Sequence, residues 1–215
     1  MRKLAIAGVL SALLGVGTAT AASLSPGSPA RPQGVRLDVS LAWQGRTPAN
    51  QPQVTKLDFW FPQGTQYNGA RYPKCSEHVL SSVGPKGCPK GSIMGSGRGT
   101  AFADTVVTHP AITVVNGGAG AVYFFTTLNN PARVQTPVVG RITRLHGGPF
   151  AYHLSATIPL ALQFVAGISV KLTALHISAG KGTWLATTAA PSGVKVMTTF
   201  GDGATDTDEV LVQNV

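Results

Sequence analysis

From Val35 onward the odd positions Val35, Leu37, Val39, Leu41 and Trp43 are apolar, while Arg36, Asp38 and Ser40 are polar. A period of two puts alternate side chains on opposite faces of an extended chain, so 35–43 predicts a strand with one buried face. Val54 to Phe61 repeats the pattern, with Leu57, Phe59 and Phe61 on one face and Lys56, Asp58 and Trp60 on the other, until Pro62 and Gly64 end it. Shorter runs rich in β-branched and aromatic residues follow at 111–115, 121–127, 138–145, 152–158, 168–177, 194–200 and 209–212, separated by Gly, Pro or Asn. Tyr152, Leu154, Ala156 and Ile158 alternate with His153, Ser155 and Thr157, whereas Val122 to Phe125 is apolar on both faces and predicts a strand covered on both sides. Apolar parity runs through Ile168, Val170 and Leu172 and then switches to Leu175 and Ile177, which predicts a bulge or bend near Thr173.

Composition agrees with that pattern. The chain has 215 residues, 43% hydrophobic and 12% charged, with Gly 26 and Pro 15, too apolar for disorder and too rich in breakers for a helical bundle. The expected fold is a single all-β domain over 35–215, an antiparallel β-sandwich of immunoglobulin-like or jelly-roll type. Leu154 to Val170 carries no charge, but Pro159, Gln163 and Gly167 interrupt it, so no transmembrane span is expected there. A membrane-spanning barrel is disfavoured by uneven strand lengths and by the lack of aromatic girdles.

The N-terminus reads as a processing segment. Arg2 and Lys3 precede the apolar stretch Leu4 to Val16, and Ala19-Thr20-Ala21 supplies the small residues of a signal-peptidase site, so 1–21 is expected to be a secretory signal peptide, with a retained anchor as the alternative. No Cys follows that site for lipid attachment. Residues 22–34, rich in Pro, Gly and Ser, describe an extended tether. Without Arg2 and Lys3 the formal charge falls from +9 to about +7. In an exported protein at the cell envelope, such a balance favours anionic wall polymers, acidic glycans or lipid surfaces, or another envelope protein, over nucleic acid, for which no binding motif is present. The charge serves solubility equally well.

Cys75 and Cys88 are the only cysteines. In a chain bound for an oxidising compartment their default is an intramolecular disulfide, which at this loop length stabilises by roughly 3 kcal/mol. His78 lies between them, but two Cys and one His lack the fourth ligand of a structural zinc site. The run Tyr72-Pro73-Lys74-Cys75, then Cys88-Pro89-Lys90-Gly91-Ser92-Ile93-Met94-Gly95-Ser96-Gly97, follows the strand ending Phe59-Trp60-Phe61-Pro62. It resembles a group of exported, mostly uncharacterised actinobacterial β-rich proteins that share an aromatic-Pro-x-Cys, a short loop and Cys-Pro-x-Gly-Ser-x-x-Gly-x-Gly. The likeness extends through Ile158-Pro159 to Phe200-Gly201-Asp202-Gly203, and it implies no activity, substrate or catalytic residue. Pro73 and Pro89 stiffen the loop, and Gly91, Gly95, Gly97 and Gly99 permit positive φ or close backbone approach, which together describe a rigid corner.

Catalytic chemistry finds little purchase. The glycines match neither Gly-x-x-x-x-Gly-Lys-Ser/Thr nor Gly-x-Gly-x-x-Gly, and His78, His109, His146, His153 and His176 have no metal spacing. No Gly-x-Ser-x-Gly elbow is present, although a triad can assemble in space, so a small secreted hydrolase is carried as an alternative. Asp202, Asp206, Asp208 and Glu209 crowd oxygen ligands beside Gly203 out of EF-hand order, so a calcium-assisted carbohydrate-binding module is the other alternative, against a solvated hairpin turn. Arg71, Lys74, Lys86, Lys90 and Arg98 around the disulfide loop, with Tyr67, Tyr72 and Trp60, form the candidate binding group, because cations beside aromatics grip anionic glycans or protein partners. The expectation is an exported, non-catalytic binding or structural protein of the envelope, without cofactor or metal.

Overall fold

The computed structural model describes residues 31–43, 51–188 and 193–214, the last four as backbone only. The expected signal peptide and most of the tether lie outside them. Fourteen strands form: β1 (Gln33–Ala42), β2 (Val54–Pro62), β3 (Thr65–Tyr67), β4 (Ile93–Ala103), β5 (Val106–Thr108), β6 (Ala111–Asn116), β7 (Ala121–Leu128), β8 (Val134–Arg144), β9 (Phe150–Thr157), β10 (Phe164–Val165), β11 (Ile168–Ala179), β12 (Leu185–Thr187), β13 (Gly193–Phe200) and β14 (Thr205–Asn214). Among the described residues two short α-helices, α1 (Glu77–Ser82) and α2 (Leu160–Gln163), interrupt them. The all-β antiparallel fold expected from the alternation is what forms, and every strand it predicted is present.

All fourteen strands belong to one sheet, and its main path closes. From β11 the neighbours run β4, β6, β7, β8, β9, β2, β13, β14 and β1, and β1 pairs β11 again from Leu37 opposite Ala179 to Ala42 opposite Ala174. The two layers of the expected sandwich are thus opposite walls of a single ten-strand ring. Inward positions such as Val39, Phe59, Val114, Val122, Leu154, Ile177 and Val196 fill one core cluster. Outward positions on the β8–β9–β2–β13 wall include Arg141, His153, Lys56 and Lys195, the reverse of a membrane-spanning barrel, which is apolar outside. Among the described residues no helix is long and apolar enough to cross a membrane.

Two local features have clear causes. The pairing of β11 with β4 shifts register between Leu172 and Ala174, where the apolar parity of the sequence switches. The glycine-rich run read as part of a rigid corner is instead largely strand β4. Gly95, Gly97 and Gly99 sit against β11 so closely that a Cβ on Gly97 would lie 2.5 Å from the His176 carbonyl oxygen, and one on Gly99 2.8 Å from Leu172 Cδ1. Close approach explains these three, while positive φ applies to Gly91, at 87°.

The two ends of the ring are closed differently. At one end β12 pairs both β1 and β3, and Trp184, Leu185 and Tyr67 pack inward. At the other, residues 158–165 cross from the end of β9 to β11, which stand opposite each other on the ring. This crossing carries α2.

Candidate functional site

The disulfide corner forms as expected, with Cys75 bonded to Cys88. Ser76 caps α1 by accepting from the Val79 N–H, and Leu80, fully buried, packs with Cys75 on Val115, Tyr123 and Phe125. This cover is why β7 is apolar on both faces: Val122 and Phe124 face the ring interior while Tyr123 and Phe125 lie under the corner. Arg71, Lys74, Lys86 and Lys90 are exposed on it.

The remaining members of the predicted group go elsewhere. Tyr67 turns inward, its hydroxyl bonding Asn116 Oδ1 and the carbonyls of Gly118 and Ala121. Burial pushes its phenol far above the ordinary value of 10.0, so it stays neutral. The Tyr72 hydroxyl accepts from the Thr183 N–H at 2.8 Å and anchors the loop before β12. Arg98 is exposed on the outer face of β4, opposite His176, well along the strand from the disulfide. Trp60 belongs to the β8–β9–β2–β13–β14 wall, where Thr143, His153, Trp60, Lys195 and Glu209 stand in one cross-strand row. His153 stacks on the indole at 4.8 Å between centroids, and Lys195 Nζ lies 5.3 Å from the ring centre. Those contacts make Trp60 part of a cross-strand column flanked on both sides.

Asp58 lies beneath that column. Its side chain is 1% exposed, with Lys56 Nζ 2.9 Å from one oxygen and His153 Nε2 2.8 Å from the other. Burial pushes the carboxyl up, but the Lys56 ammonium and hydrogen bonds from Ser155 and His153 together outweigh it and hold the group below its ordinary 3.8. Sequence reading missed the cluster. The signal was an acid on the outward parity of a strand whose neighbour carries His153.

The two alternative chemistries meet specific geometry. Ser40 Oγ and His176 Nδ1 approach to 2.9 Å in a shallow outer depression that also holds Arg98 and His109. Among the described residues its lining contains no carboxylate to orient the imidazole as a triad requires. In the acidic run, Asp202 closes a turn by accepting from the Ala204 N–H, while Asp206, Asp208 and Glu209 are drawn out along β14 opposite Thr198, Val196 and Lys195. Among the described residues no three His, Cys, Asp or Glu side chains gather as a metal site.

The most enclosed feature is the ring interior. A cavity of about 80 Å³ is lined by residues including Leu57, Ala101, Ile112, Val138, Ala156 and Val170, and is bounded towards α2 by Leu162 and Gln163. Among the described residues Thr126 and Gln163 are its only polar lining side chains, and each bonds a nearby backbone carbonyl, Phe124 O and Ile158 O. A second cavity of about 40 Å³ runs towards Tyr67, Trp184 and Leu185. Phe59, Phe124 and Ile177 line both and form a waist between them. Sequence reading did not anticipate this lumen.

The ends of the lumen differ in rigidity. Asn116, fully buried, donates through Nδ2 to the carbonyls of Gly69, Tyr72 and Pro73, and accepts at Oδ1 from Tyr67, the Gly118 N–H and Trp184. That network pins one end. The crossing at the other end is held by local bonds, Leu162 N–H to Pro159 O and the Gln163 amide to Ile158 O, by the Ile158 N–H to Thr55 O, and by the pairing of Phe164 and Val165 with β11, where Val165 is buried. No family model matches the chain, and no curated protein or solved structure matches it.

Proposed function

We propose that this is an exported, non-catalytic binding protein of the cell envelope whose ligand is a slender apolar molecule, an acyl or isoprenoid chain, held along the ring interior. The observation that carries the reading is the pair of apolar cavities that lie on either side of the shared Phe59, Phe124 and Ile177 side chains. Eight antiparallel strands enclose a space that side chains just fill, and ten leave more room than these side chains occupy. An unfilled apolar cavity of about 80 Å³ costs roughly 2 kcal/mol at about 24 cal/mol per Å³, a cost that an apolar guest offsets. The volume is below the ~150 Å³ that takes a benzene ring, so a chain is admitted by rotation of the waist rings and displacement of Leu162. Two small cavities in series, rather than one broad chamber, favour a chain over a fused-ring ligand. Export rests on the Arg2–Ala21 pattern and on the likeness to exported actinobacterial proteins, and the disulfide is compatible with it.

The test is binding of a fluorescent polyene fatty acid to the purified protein, compared with Ala156→Leu. Ala156 is 2% exposed and lines the larger cavity, so leucine there fills the space. Saturable binding weakened at least roughly tenfold by the substitution is expected, with unfolding curves showing that the variant folds. Absence of binding, or equal binding by the two proteins, overturns the reading.

A further inference from the structure

We infer that the α2 end of the ring is a docking rim for an anionic lipid bilayer, from which the lumen takes its ligand; the second half of this statement rests on the reading above. Six large hydrophobic side chains are markedly exposed among the described residues, and four of them belong to this end: Leu160 at 72%, Phe164 at 50%, Val106 at 52% and Val107 at 46%. The register puts them together. Val106 pairs with Ala103, Ala103 pairs with Val170, and the adjoining β10–β11 hairpin sets Phe164 opposite Ser169. Two hairpin tips and the α2 crossing therefore project side by side beyond the wall of the ring.

The crossing is two-sided. Leu162 and Gln163 face the cavity, while Leu160 and Phe164 face out. Exposing a leucine and a phenylalanine to water at the end of an apolar lumen forgoes burial that a bilayer supplies. From 157 to 170 the α2 crossing and the β10–β11 tip have no charged side chain, so insertion of that part of the rim among headgroups desolvates no charge. Arg133, exposed in the β7–β8 connection at the same end, suits anionic headgroups, with Asp104 the one acid at the β4–β5 tip. The formal charge, about +7 without Arg2 and Lys3, favours an anionic surface and opposes the alternative occupant, a second copy of the same basic chain.

The opposite end of the ring is pinned by the buried Asn116 network, whereas the α2 turn of the crossing is held by its own bonds and is tied to the wall only at its ends, by the Ile158 N–H to Thr55 O and by the pairing of Phe164 and Val165 with β11. An insoluble chain moving between bilayer and lumen meets its lowest barrier at the α2 end.

The experiment is flotation of the full chain with vesicles of phosphatidylglycerol and phosphatidylcholine, compared with the double variant Leu160→Ser/Phe164→Ser. Any leader retained on the chain contributes equally to both. Both side chains are exposed, so the variant is expected to unfold at the wild-type temperature and to bind the polyene fatty acid in solution unchanged. Its partitioning onto vesicles is expected to fall at least roughly tenfold, since each lost insertion of this kind is a large part of the binding free energy. Failure of wild-type protein to float, equal flotation of the variant, or a self-associated species that the variant disperses without any vesicle binding would each overturn the rim. Failure of the lumen reading shows separately, as vesicle binding that depends on Leu160 and Phe164 in a protein that takes up no polyene fatty acid.

Discussion

The indole N–H of Trp184 donates to Oδ1 of Asn116 at 3.1 Å, joining the loop before β12 to the end of β6 inside the closed end of the ring. The same oxygen accepts from Tyr67, and the amide nitrogen reaches three carbonyls of the segment that leads into the disulfide corner. One buried side chain thus satisfies backbone groups that have no strand partner. Replacing Asn116 by Asp removes both amide donors and places a carboxylate among carbonyl oxygens in a site sealed from water. The expected loss is about 3–5 kcal/mol, read from urea unfolding at neutral pH, and Asn116→Asp is expected to be worse than Asn116→Ala. Equal stability of the Asp variant and wild type would show that the network does not hold this end.

A cavity in a folded core is also a place to gain stability. Ala156 lines the larger chamber, and the side chain opposite it on β2 is Leu57. Adding two methyl groups there by Ala156→Val recovers part of the lost packing, about 0.5–1 kcal/mol, while narrowing the chamber. Thermal unfolding without ligand is expected to move up by a few degrees. The gain is expected to shrink when the polyene fatty acid is present, because ligand stabilises wild type more than the variant. A variant less stable than wild type would mean that the chamber is already packed.

Alternation exposed most of this wall structure in the sequence. Val35 to Trp43 and Val54 to Phe61 gave the right faces, and the parity switch after Leu172 marked the bulge found there. Cys75 and Cys88 were legible because they are the only pair. β4 was not, since its inward positions include Gly95, Gly97 and Gly99, which carry no hydrophobic signal and read as loop. Ring closure depends on β1 meeting β11, more than a hundred positions apart, and no local pattern encodes that pairing. The lumen follows from closure and was invisible for the same reason. Among the site residues, alternation places Trp60 on the outward face but carries no sign of its stack on His153, and Tyr67 lies in a three-residue strand too short for alternation to show its hydroxyl turning inward.

The basic corner gives a prediction independent of the lumen. Arg71, Lys74, Lys86 and Lys90 are exposed on a disulfide-closed scaffold, so their charges are held in place and meet solvent freely. Acidic wall polymer is expected to bind this face weakly, and the binding is expected to fade as salt rises, because exposed charges are screened beyond about 8 Å at physiological ionic strength. Lys86→Ala/Lys90→Ala should reduce pull-down of purified acidic envelope polymer and flatten its salt dependence without moving the unfolding temperature. Binding that is unchanged in this variant would locate any polymer affinity elsewhere, with Arg98 beside His176 the next cation to substitute.

Asp58 makes stability depend on pH in a defined direction. Its carboxyl is held below the ordinary value in the fold by Lys56, Ser155 and His153 acting against burial, whereas in the unfolded chain it titrates near 3.8. A depressed folded value means that the unfolded chain takes up a proton first as the medium acidifies. The contribution is therefore complete above the unfolded value, begins to disappear as pH falls towards 3.8, and is gone once pH has passed below the folded value. Asp58→Asn removes the ionised partner of Lys56 and His153, so the variant is expected to be less stable than wild type at neutral pH and to lose less on acidification. The two stability curves should converge below pH 3.8, as measured by urea unfolding at a series of pH values in constant salt. Parallel curves across that range would mean that Asp58 has the same proton affinity folded and unfolded, and that its contacts with Lys56 and His153 contribute nothing through charge.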